Sequence, residues 1–335
     1  MKLRPLGRTG IRVPVLCLGT MTFGLQSDEA TSFQILDRAL EGGIDFLDTA
    51  DVYPLGGGLD RVGTTEEIVG RWIRDRRARE RVFLATKCCA PMGTGPNDVG
   101  LSRFHIQRAV EASLRRLQTD VIDLYQTHFF DLHTPIEETL RALDDLIGQG
   151  KIRYVGCSNY PAWRLAEALG VSERLSLARY QTVQPRYNLL YREIETELLP
   201  LVRDAGVGVL VYNPIAGGLL SGKYQKGQPP RDGTRFTMDR VAELYQQRYW
   251  NELQLEAAEE LGSQAQARGL TLASVAVAWV LAQPGVTSAI IGASRPEQLE
   301  ATLAGAELEL DDELRRACDE VWWRLPRRPV ADGYR

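Results

Sequence analysis

Residues 82–87 read VFLATK, a short apolar run that ends in a lysine, and residues 123–128 read DLYQTH, which ends in a histidine. A longer amphipathic stretch separates them, and this alternation recurs along the chain. Repeated βα units form parallel sheets, and eight of them favour a closed (β/α)8 barrel over an open sheet. The eight predicted strands are VLCLGT (15–20), DFLDTA (45–50), VFLATK (82–87), DLYQTH (123–128), YVGCS (154–158), YQTVQ (180–184), VGVLVY (207–212) and TSAIIG (287–292).

The length of the chain fits a single barrel. We predict one domain over residues 1–335, with a core at about 3–306 and a C-terminal helix and tail at 307–335. Single α/β barrels often reach this size. Residues 3–16 contain two glycines between short apolar segments. They are predicted to form a hairpin that closes the barrel floor.

Two predicted helices begin with a sequence typical of a capping box. Thr64 is followed three residues later by Glu67, and Thr134 is followed by Glu137, with Pro135 at the first helical position. In such a box the threonine side chain accepts a hydrogen bond from the first turn of the helix. We therefore expect each threonine to cap its helix.

Composition argues against several classes of protein. The chain is 44% hydrophobic and 25% charged, with a net charge of -4, so we expect no nucleic-acid or membrane partner. No apolar run approaches the ~18 residues of a membrane span, and the first ten residues lack a signal-peptide core, which predicts a cytoplasmic protein. The five cysteines have no CxxC spacing and only three histidines accompany them. These features argue against a disulfide framework or a metal site.

Four residues at or just after consecutive predicted strands carry reactive side chains: Asp48, Tyr53, Lys87 and His128. Loops and residues that follow barrel strands meet at one face, so we expect these side chains to lie close together. A strand-end lysine needs a counter-charge, which Asp48 supplies. The ammonium favours phenolate, so Tyr53 is expected to release a proton closer to neutral pH and to act as a general acid. His128 is expected to orient a carbonyl oxygen. Taken singly, each residue is more often structural.

Three motifs resemble those of the aldo-keto reductases: DTADVY (48–53), ATK (85–87) and DLYQTH (123–128). The resemblance runs from about Leu3 to Ala306. It implies a (β/α)8 barrel that reduces an aldehyde or ketone to an alcohol with NAD(P)H, by a reversible hydride transfer. The implied roles are Tyr53 as acid, Lys87 and Asp48 as its activating pair, and His128 as the group that orients the carbonyl. No metal is implied.

The cofactor is expected to bind without a Rossmann fingerprint, since no G-x-G-x-x-G follows the first strand. NADP is favoured and NAD is possible, because Arg235 and Arg295 suit a 2′-phosphate. The family Glu-Asn pair is replaced by Ala301 and Thr302, which weakens the expected adenine site. The resemblance implies cofactor contacts at Thr20, Met21, Gln26, Asp48, Ser158, Asn159, Gln184, Tyr212, Asn213, Pro214, Ile215, Ala216, Gly217, Leu219, Ser221, Lys223, Arg235, Gly292, Ser294, Arg295 and Gln298.

The substrate is predicted to be a small carbonyl compound held by the long loops after the strands. Phe23 and Phe129 join Tyr53 and His128 as predicted contacts, His133 is a further candidate, and the Phe129-Phe130 pair suggests an aryl-tolerant pocket. A sugar dehydrogenase and a reductase of nucleotide-linked keto-sugars remain alternatives on the same site.

Another alternative is a non-catalytic, cofactor-binding regulatory subunit, since channel-associated members of the superfamily retain the barrel. That branch carries Asn at the position of His128, which favours the enzyme. A homo-oligomer is possible.

Overall fold

The computed structural model describes residues 1–327, except for the side chains of residues 239 and 240. Eight parallel strands close into a barrel in chain order, and each coincides with one of the eight predicted strands. The predicted (β/α)8 barrel is therefore confirmed. The barrel strands are β3 (Leu16–Gly19), β4 (Phe46–Asp48), β5 (Phe83–Cys88), β6 (Ile122–Thr127), β7 (Ile152–Ser158), β8 (Thr182–Gln184), β9 (Gly208–Tyr212) and β10 (Val286–Ile291).

Helices surround the barrel and bury apolar side chains against its strands and against one another. Trp72, for example, is fully buried, and its indole nitrogen donates to Asp37 Oδ1 at 2.8 Å. A buried aromatic of this size contributes on the order of 2–3 kcal/mol through the hydrophobic effect. The helices are α1 (Glu29–Glu41), α2 (Thr64–Asp75), α3 (Arg103–Leu117), α4 (Ile136–Gly148), α5 (Ala162–Leu175), α6 (Leu198–Ala205), α7 (Asp239–Tyr249), α8 (Glu252–Ala267), α9 (Leu272–Ala282), α10 (Leu299–Glu307) and α11 (Asp312–Arg324).

The predicted N-terminal hairpin closes the floor of the barrel. Strands β1 (Leu3–Pro5) and β2 (Arg12–Pro14) pair antiparallel. Leu6 and Val13 are buried with inward side chains of the barrel strands. The Arg4 guanidinium donates to the carbonyls of Val286 and Leu281 at 2.6 and 2.7 Å, which ties the hairpin to the last βα unit.

Neither predicted capping box forms. The N-cap of α2 is Gly63, whose φ of 87° is left-handed, so Thr64 is already helical. The N-cap of α4 is Pro135, and the Thr134 hydroxyl donates instead to Asp131 Oδ2 at 2.7 Å. Asp131 also accepts hydrogen bonds from the backbone amides of Leu101 and His133, so its carboxylate organises this loop and takes the Thr134 hydroxyl.

Within residues 1–327, no single helix is long and apolar enough to cross a membrane. The helices α8 and α9 meet the length and composition criteria only as a pair, and the pair is bent by 98°. All five cysteines are buried and unpaired. The predicted tail at residues 328–335 lies outside the described residues.

Candidate active site

Four side chains from three neighbouring strand ends meet at the mouth of the barrel. Asp48 ends β4, Lys87 is the penultimate residue of β5, and His128 directly follows β6. Lys87 Nζ lies 2.5 Å from Asp48 Oδ2 and 5.1 Å from the centroid of the Tyr53 ring. The rings of Tyr53 and His128 meet edge to face, with centroids 5.7 Å apart. The structure thus brings together the four residues predicted from the strand ends.

The Lys87–Asp48 ion pair is buried, and its remaining polar atoms have partners. Lys87 also donates to the carbonyl of Thr49 at 2.8 Å, while Asp48 Oδ1 accepts from Gln126 at 3.0 Å and from Gln184 at 2.9 Å. Burial is the largest single influence and lowers the pKa of Lys87, but Asp48, Tyr53 and Cys17 together raise it above the ordinary value, so the amine stays an ammonium. A buried pair that is hydrogen-bonded in this way retains both charges.

Gln126 was not singled out from the sequence. Its amide belongs to the same network, since Gln184 Nε2 also donates to Gln126 Oε1 at 3.1 Å. The available signal was a glutamine inside the apolar strand DLYQTH, where an uncharged polar side chain needs a buried partner.

The environment of Tyr53 corrects one expectation. Burial is the largest influence and raises the pKa of Tyr53 to about 12, although the positive charge of Lys87 lowers it. The predicted shift toward neutral pH is therefore wrong for this state of the protein, because loss of hydration costs the phenolate more than one ammonium restores. Tyr53 is a neutral phenol at pH 7, which suits a proton donor.

His128 is a neutral imidazole at the same site. Burial, followed by the charge of Lys87, holds its pKa well below the ordinary value. Its ring stacks on Phe129 with centroids 4.8 Å apart, and its carbonyl accepts from Asn159 Nδ2 at 3.0 Å. Within the described residues, its buried Nδ1 has no hydrogen-bond partner. A fixed ring with an unused polar atom is available to a ligand.

Four of the predicted cofactor contacts lie together at the ends of the next three strands: Ser158, Asn159, Gln184 and Tyr212. The Tyr212 hydroxyl donates to Asn159 Oδ1 at 2.8 Å, and the Ser158 hydroxyl donates to the Gln184 carbonyl at 2.8 Å. Asn159 also donates to Ser158 Oγ at 3.0 Å. These polar groups hold one another in place beside Asp48, to which Gln184 is bonded.

The segment at residues 212–224, which holds the predicted cofactor contacts from Tyr212 to Lys223, has an unusual backbone. Left-handed φ values occur at Asn213, Ala216, Gly217 and Gly218, so the chain turns tightly after β9. A Cβ at Gly217 would lie 2.5 Å from an aromatic carbon of Tyr245, so only glycine fits there. Tyr245 of α7, which was not predicted as a site residue, thereby covers this loop. Pro214, Ile215, Leu219 and Ser221 belong to the same turn.

Positive side chains cluster beside this loop. The pKa of Lys223 is lowered, first by burial and then by the charges of Arg231, Arg235 and Arg295. Arg235 also donates to Asn213 Oδ1 at 3.4 Å. Among the side chains that the structure describes, none of the four cations has a carboxylate oxygen within 4.0 Å. Arg231 was not singled out from the sequence. Four close cations without carboxylate partners repel one another, and a polyanion would relieve that repulsion.

The predicted adenosine contacts follow β10. A Cβ at Gly292 would lie 3.2 Å from the Arg235 guanidinium, and the Ser294 amide donates to Gln298 Oε1 at 2.8 Å. Thr302, one of the two departures from the family pattern, is buried and donates to its own helix at Leu299 O. Its hydroxyl is therefore used internally. Ala301, the other departure, has no polar side-chain group.

The three predicted contacts after β3 differ in exposure. Thr20 is fully buried, and its hydroxyl donates to the Asp48 carbonyl at 3.0 Å. Met21 and Gln26 line a narrow gap that also includes Arg235 and Tyr245. These two side chains therefore adjoin the cation cluster, whereas Thr20 contributes to the backbone geometry at Asp48.

Among the predicted substrate contacts, Phe23 requires correction. It is fully buried in the hydrophobic core that includes Ile68 and Trp72 of α2, because the loop after β3 turns its side chain inward. It cannot line a pocket in this structure. Phe129 is 39% exposed beside His128. His133 is exposed, and its backbone amide donates to Asp131.

Comparison with known proteins places this geometry in a family. The sequence model of the Aldo/keto reductase family matches residues 15–322. "Uncharacterized oxidoreductase YrpG" of Bacillus subtilis (strain 168) is 43% identical over 322 residues, 95% of this chain and 94% of that protein. "Probable voltage-gated potassium channel subunit beta" of Arabidopsis thaliana is 37% identical over 311 residues, 92% of each chain. "Protein tas" of Escherichia coli (strain K12) is 33% identical over 336 residues, 94% of this chain and 95% of that protein. The family predicted from the sequence is confirmed, and the chain belongs to the aldo/keto reductase family of oxidoreductases.

Proposed function

We propose that the protein catalyses the NAD(P)H-dependent reduction of an aldehyde or ketone to an alcohol. The observation that carries the proposal is the buried Lys87–Asp48 pair, with its ammonium 5.1 Å from the Tyr53 ring centroid. A buried ion pair of this kind often contributes little to the stability of a fold. Beside a buried phenol, its ammonium can stabilise the negative charge that remains on the phenol oxygen when the proton departs.

Tyr53 donates the proton to the carbonyl oxygen in this proposal. Its pKa of about 12 keeps it protonated over the physiological range, so the acid is present before substrate arrives. As the proton leaves, the positive charge of Lys87 stabilises the phenolate, and Asp48 and Thr49 hold that amine in place. His128 donates a hydrogen bond to the same oxygen and fixes its direction. A neutral imidazole has one N–H for this purpose.

The residues around the mouth fit a dinucleotide. When bound, the reduced nicotinamide supplies the hydride. Ser158, Asn159 and Gln184 would hold the carboxamide through their amide and hydroxyl groups, and Tyr212 would provide an aromatic face for the ring. The left-handed turn at Gly217 and Gly218 has no side chains in the way, so a pyrophosphate could approach the backbone closely there.

The cation cluster supports NADP over NAD. Lys223, Arg231, Arg235 and Arg295 provide more positive charge than a pyrophosphate needs. A 2′-phosphate supplies further anionic oxygens to the two arginines proposed for it, Arg235 and Arg295. The internal hydrogen bond of Thr302 bears on the adenine alone, so it leaves this preference intact.

The test combines cofactor titration with turnover. Quenching of tryptophan fluorescence is expected to show tighter binding of NADPH than of NADH. A panel of aldehydes and ketones, with aryl aldehydes and aldoses among them, is then assayed for NADPH consumption. Binding without turnover of any carbonyl would reject the enzyme, and failure to bind either cofactor would reject the site. A strong preference for aldoses would favour the sugar-active alternatives over the aryl-tolerant pocket suggested by Phe129.

A second candidate is a cofactor-binding subunit of a larger assembly. Two relatives at 37% identity are named as probable potassium channel beta subunits, which is the observation that favours it. The same nicotinamide contacts would serve binding without turnover. The complete set of Tyr53, Lys87, Asp48 and His128 favours the enzyme, because binding alone requires no proton donor.

A further inference from the structure

A cavity of about 280 Å³ opens at the rim of the barrel mouth, beyond the proposed nicotinamide contacts. Asn159 and Tyr212 form the wall that faces the reaction centre. Arg186, Tyr191 and Arg248 line the other parts. Its volume is close to that of the smaller ligand pockets in proteins. Nothing in the proposed reaction so far uses this space.

Arg186 is the distinctive residue of the cavity. It is only 7% exposed, and its guanidinium carbon lies 3.6 Å from the centroid of the Tyr191 ring. Within residues 1–327 no described carboxylate oxygen lies within 4.0 Å of it. Arg192, by contrast, is similarly enclosed and pairs with both Glu195 and Asp319. The aromatic ring and hydroxyl of Tyr191 stabilise the Arg186 guanidinium, which has no anionic partner among the described side chains.

A second guanidinium faces the same wall. Burial raises the pKa of Tyr212, and the charges of Arg248 and Arg186 oppose that rise, so both lie near its phenol. Two glutamates also line the cavity, the half-buried Glu193 and the exposed Glu197. Both are more exposed than Arg186, so water screens their charge more than it screens this guanidinium. This distribution suits a ligand with one negative charge at its buried end.

The cavity wall is also the wall of the reaction centre. Asn159 Nδ2 donates to the His128 carbonyl at 3.0 Å, while Asn159 Oδ1 accepts from Tyr212. A ligand in the cavity is therefore one side chain away from the residue proposed to orient the substrate carbonyl. A planar guanidinium binds a carboxylate through two parallel hydrogen bonds, which fixes both distance and direction.

We infer that this cavity binds the carboxylate of the substrate, so that the preferred substrates are aldehydes or ketones bearing a carboxylate at the far end. The inference rests on the proposed reduction and names its substrate class. The carboxylate in the cavity could belong to the carbonyl substrate or to a separate small anion, since the two have the same chemistry. The experiment distinguishes these two sources.

The first arm measures binding without catalysis. Benzoate is titrated calorimetrically into the wild type, Arg186→Gln, Arg186→Lys and Arg153→Gln, with and without saturating NADPH. Arg153 is an exposed arginine of β7 that pairs with Asp123, so its variant is a matched control for the loss of one charge. Binding is expected in the wild type and the control, with affinity lowered about tenfold or more in Arg186→Gln. Arg186→Lys keeps the charge and should bind with intermediate affinity.

The second arm measures turnover of ω-oxo carboxylates of increasing chain length and of their methyl esters. In Arg186→Gln, KM for the acids is expected to rise about tenfold, while kcat for the acids and both constants for the esters stay within about twofold. The acid of best-fitting length reports the distance between the cavity and the reaction centre. Thermal unfolding checks that each variant is folded, and Arg186→Lys replaces Arg186→Gln if the latter is not.

Each remaining outcome overturns the inference in a different way. Equal KM changes for acids and esters would make Arg186 a structural residue. Benzoate binding that NADPH abolishes would assign the cavity to the cofactor. Benzoate binding that does not compete with the acids would assign it to a free anion. If benzoate binds but no carbonyl is reduced, the proposed reduction fails and the assignment of the cavity to a substrate fails with it, which leaves only an anion site.

Discussion

Lys87 and Lys223 lie at the same face of the barrel and differ in what surrounds their charge. Lys87 is fully buried and pairs with Asp48, and the carboxylate has further donors of its own. Lys223 is half-buried among three arginines, with no carboxylate within 4.0 Å among the described side chains. We call the first the complete region, because each of its charges has a partner within the protein. These partners keep its side chains in fixed positions. The second, the incomplete region, has no counter-charge among the described side chains, so we propose that it binds an anionic ligand.

The largest expected effect comes from breaking the complete region. Lys87→Met leaves Asp48 buried without its cation, which should destabilise the fold by about 3–5 kcal/mol. It also removes the charge that stabilises the Tyr53 phenolate, so kcat/KM should fall by about 10²- to 10⁴-fold. Urea unfolding and steady-state kinetics measure the two effects.

The double variant Asp48→Asn with Lys87→Met is the control for that experiment. It removes both charges, so it should regain part of the stability lost in the single variant without regaining activity. A single variant that keeps more than about a tenth of the wild-type kcat/KM would contradict the role given to Lys87.

The pH dependence is the next largest effect, since Tyr53 belongs to the complete region. Reduction needs the phenol, which predominates well below the pKa of about 12. Alcohol oxidation needs the phenolate, whose fraction grows as pH rises toward that value. The oxidation kcat/KM should therefore rise between pH 7 and 10, by at most about tenfold per unit, while reduction does not rise. An oxidation rate that is flat or falls over this range would show that Tyr53 is not the titrating acid.

A smaller effect is expected from the incomplete region. Arg235→Gln should raise the Kd for NADPH about tenfold or more and change the Kd for NADH much less. Its free energy of unfolding without cofactor should stay the same or rise, because like charges repel in the cluster. Fluorescence titration and urea unfolding test both, with Arg153→Gln as the charge-matched control. Equal losses for NADPH and NADH would remove the basis for the NADP preference.

The smallest effect is expected at a pair that belongs to neither region. Arg38 and Glu300 form an ion pair at 2.7 Å, with side chains 33% and 60% exposed. Solvent screens such pairs, so Arg38→Ala should cost less than about 1 kcal/mol of unfolding free energy and should leave kcat unchanged. A loss comparable with that of Lys87→Met would mean that burial does not determine how much an ion pair contributes to the free energy of unfolding.

Strand positions were predictable from the sequence, and fine geometry was not. All eight predicted strands and the N-terminal hairpin are present because short apolar runs at regular intervals leave few alternatives. Convergence of Asp48, Tyr53, Lys87 and His128 followed from the rule that residues after barrel strands share a face. The rule gives the positions of these residues but does not say how completely water is excluded from them.

The failures have local physical causes. The pKa of Tyr53 depends on how completely water is excluded, which the order of residues does not reveal. Thr134 bonds to Asp131 rather than capping α4, because a nearby carboxylate competes for its hydroxyl. Phe23 turns into the core through loop geometry. Gln126 hydrogen-bonds to Asp48 and Gln184, which come from distant segments that only the folded chain brings close. Arg231 lies near Lys223 together with Arg295, which also comes from a distant segment.

The proton donor is the central claim, and Tyr53→Phe tests it most directly. This variant removes one oxygen and keeps the ring that contacts Lys87 and His128. NADPH should bind with wild-type affinity by fluorescence titration, while the rate of aldehyde reduction falls by about 10²-fold or more. Reduction by Tyr53→Phe at the wild-type rate, with NADPH bound, would contradict the account.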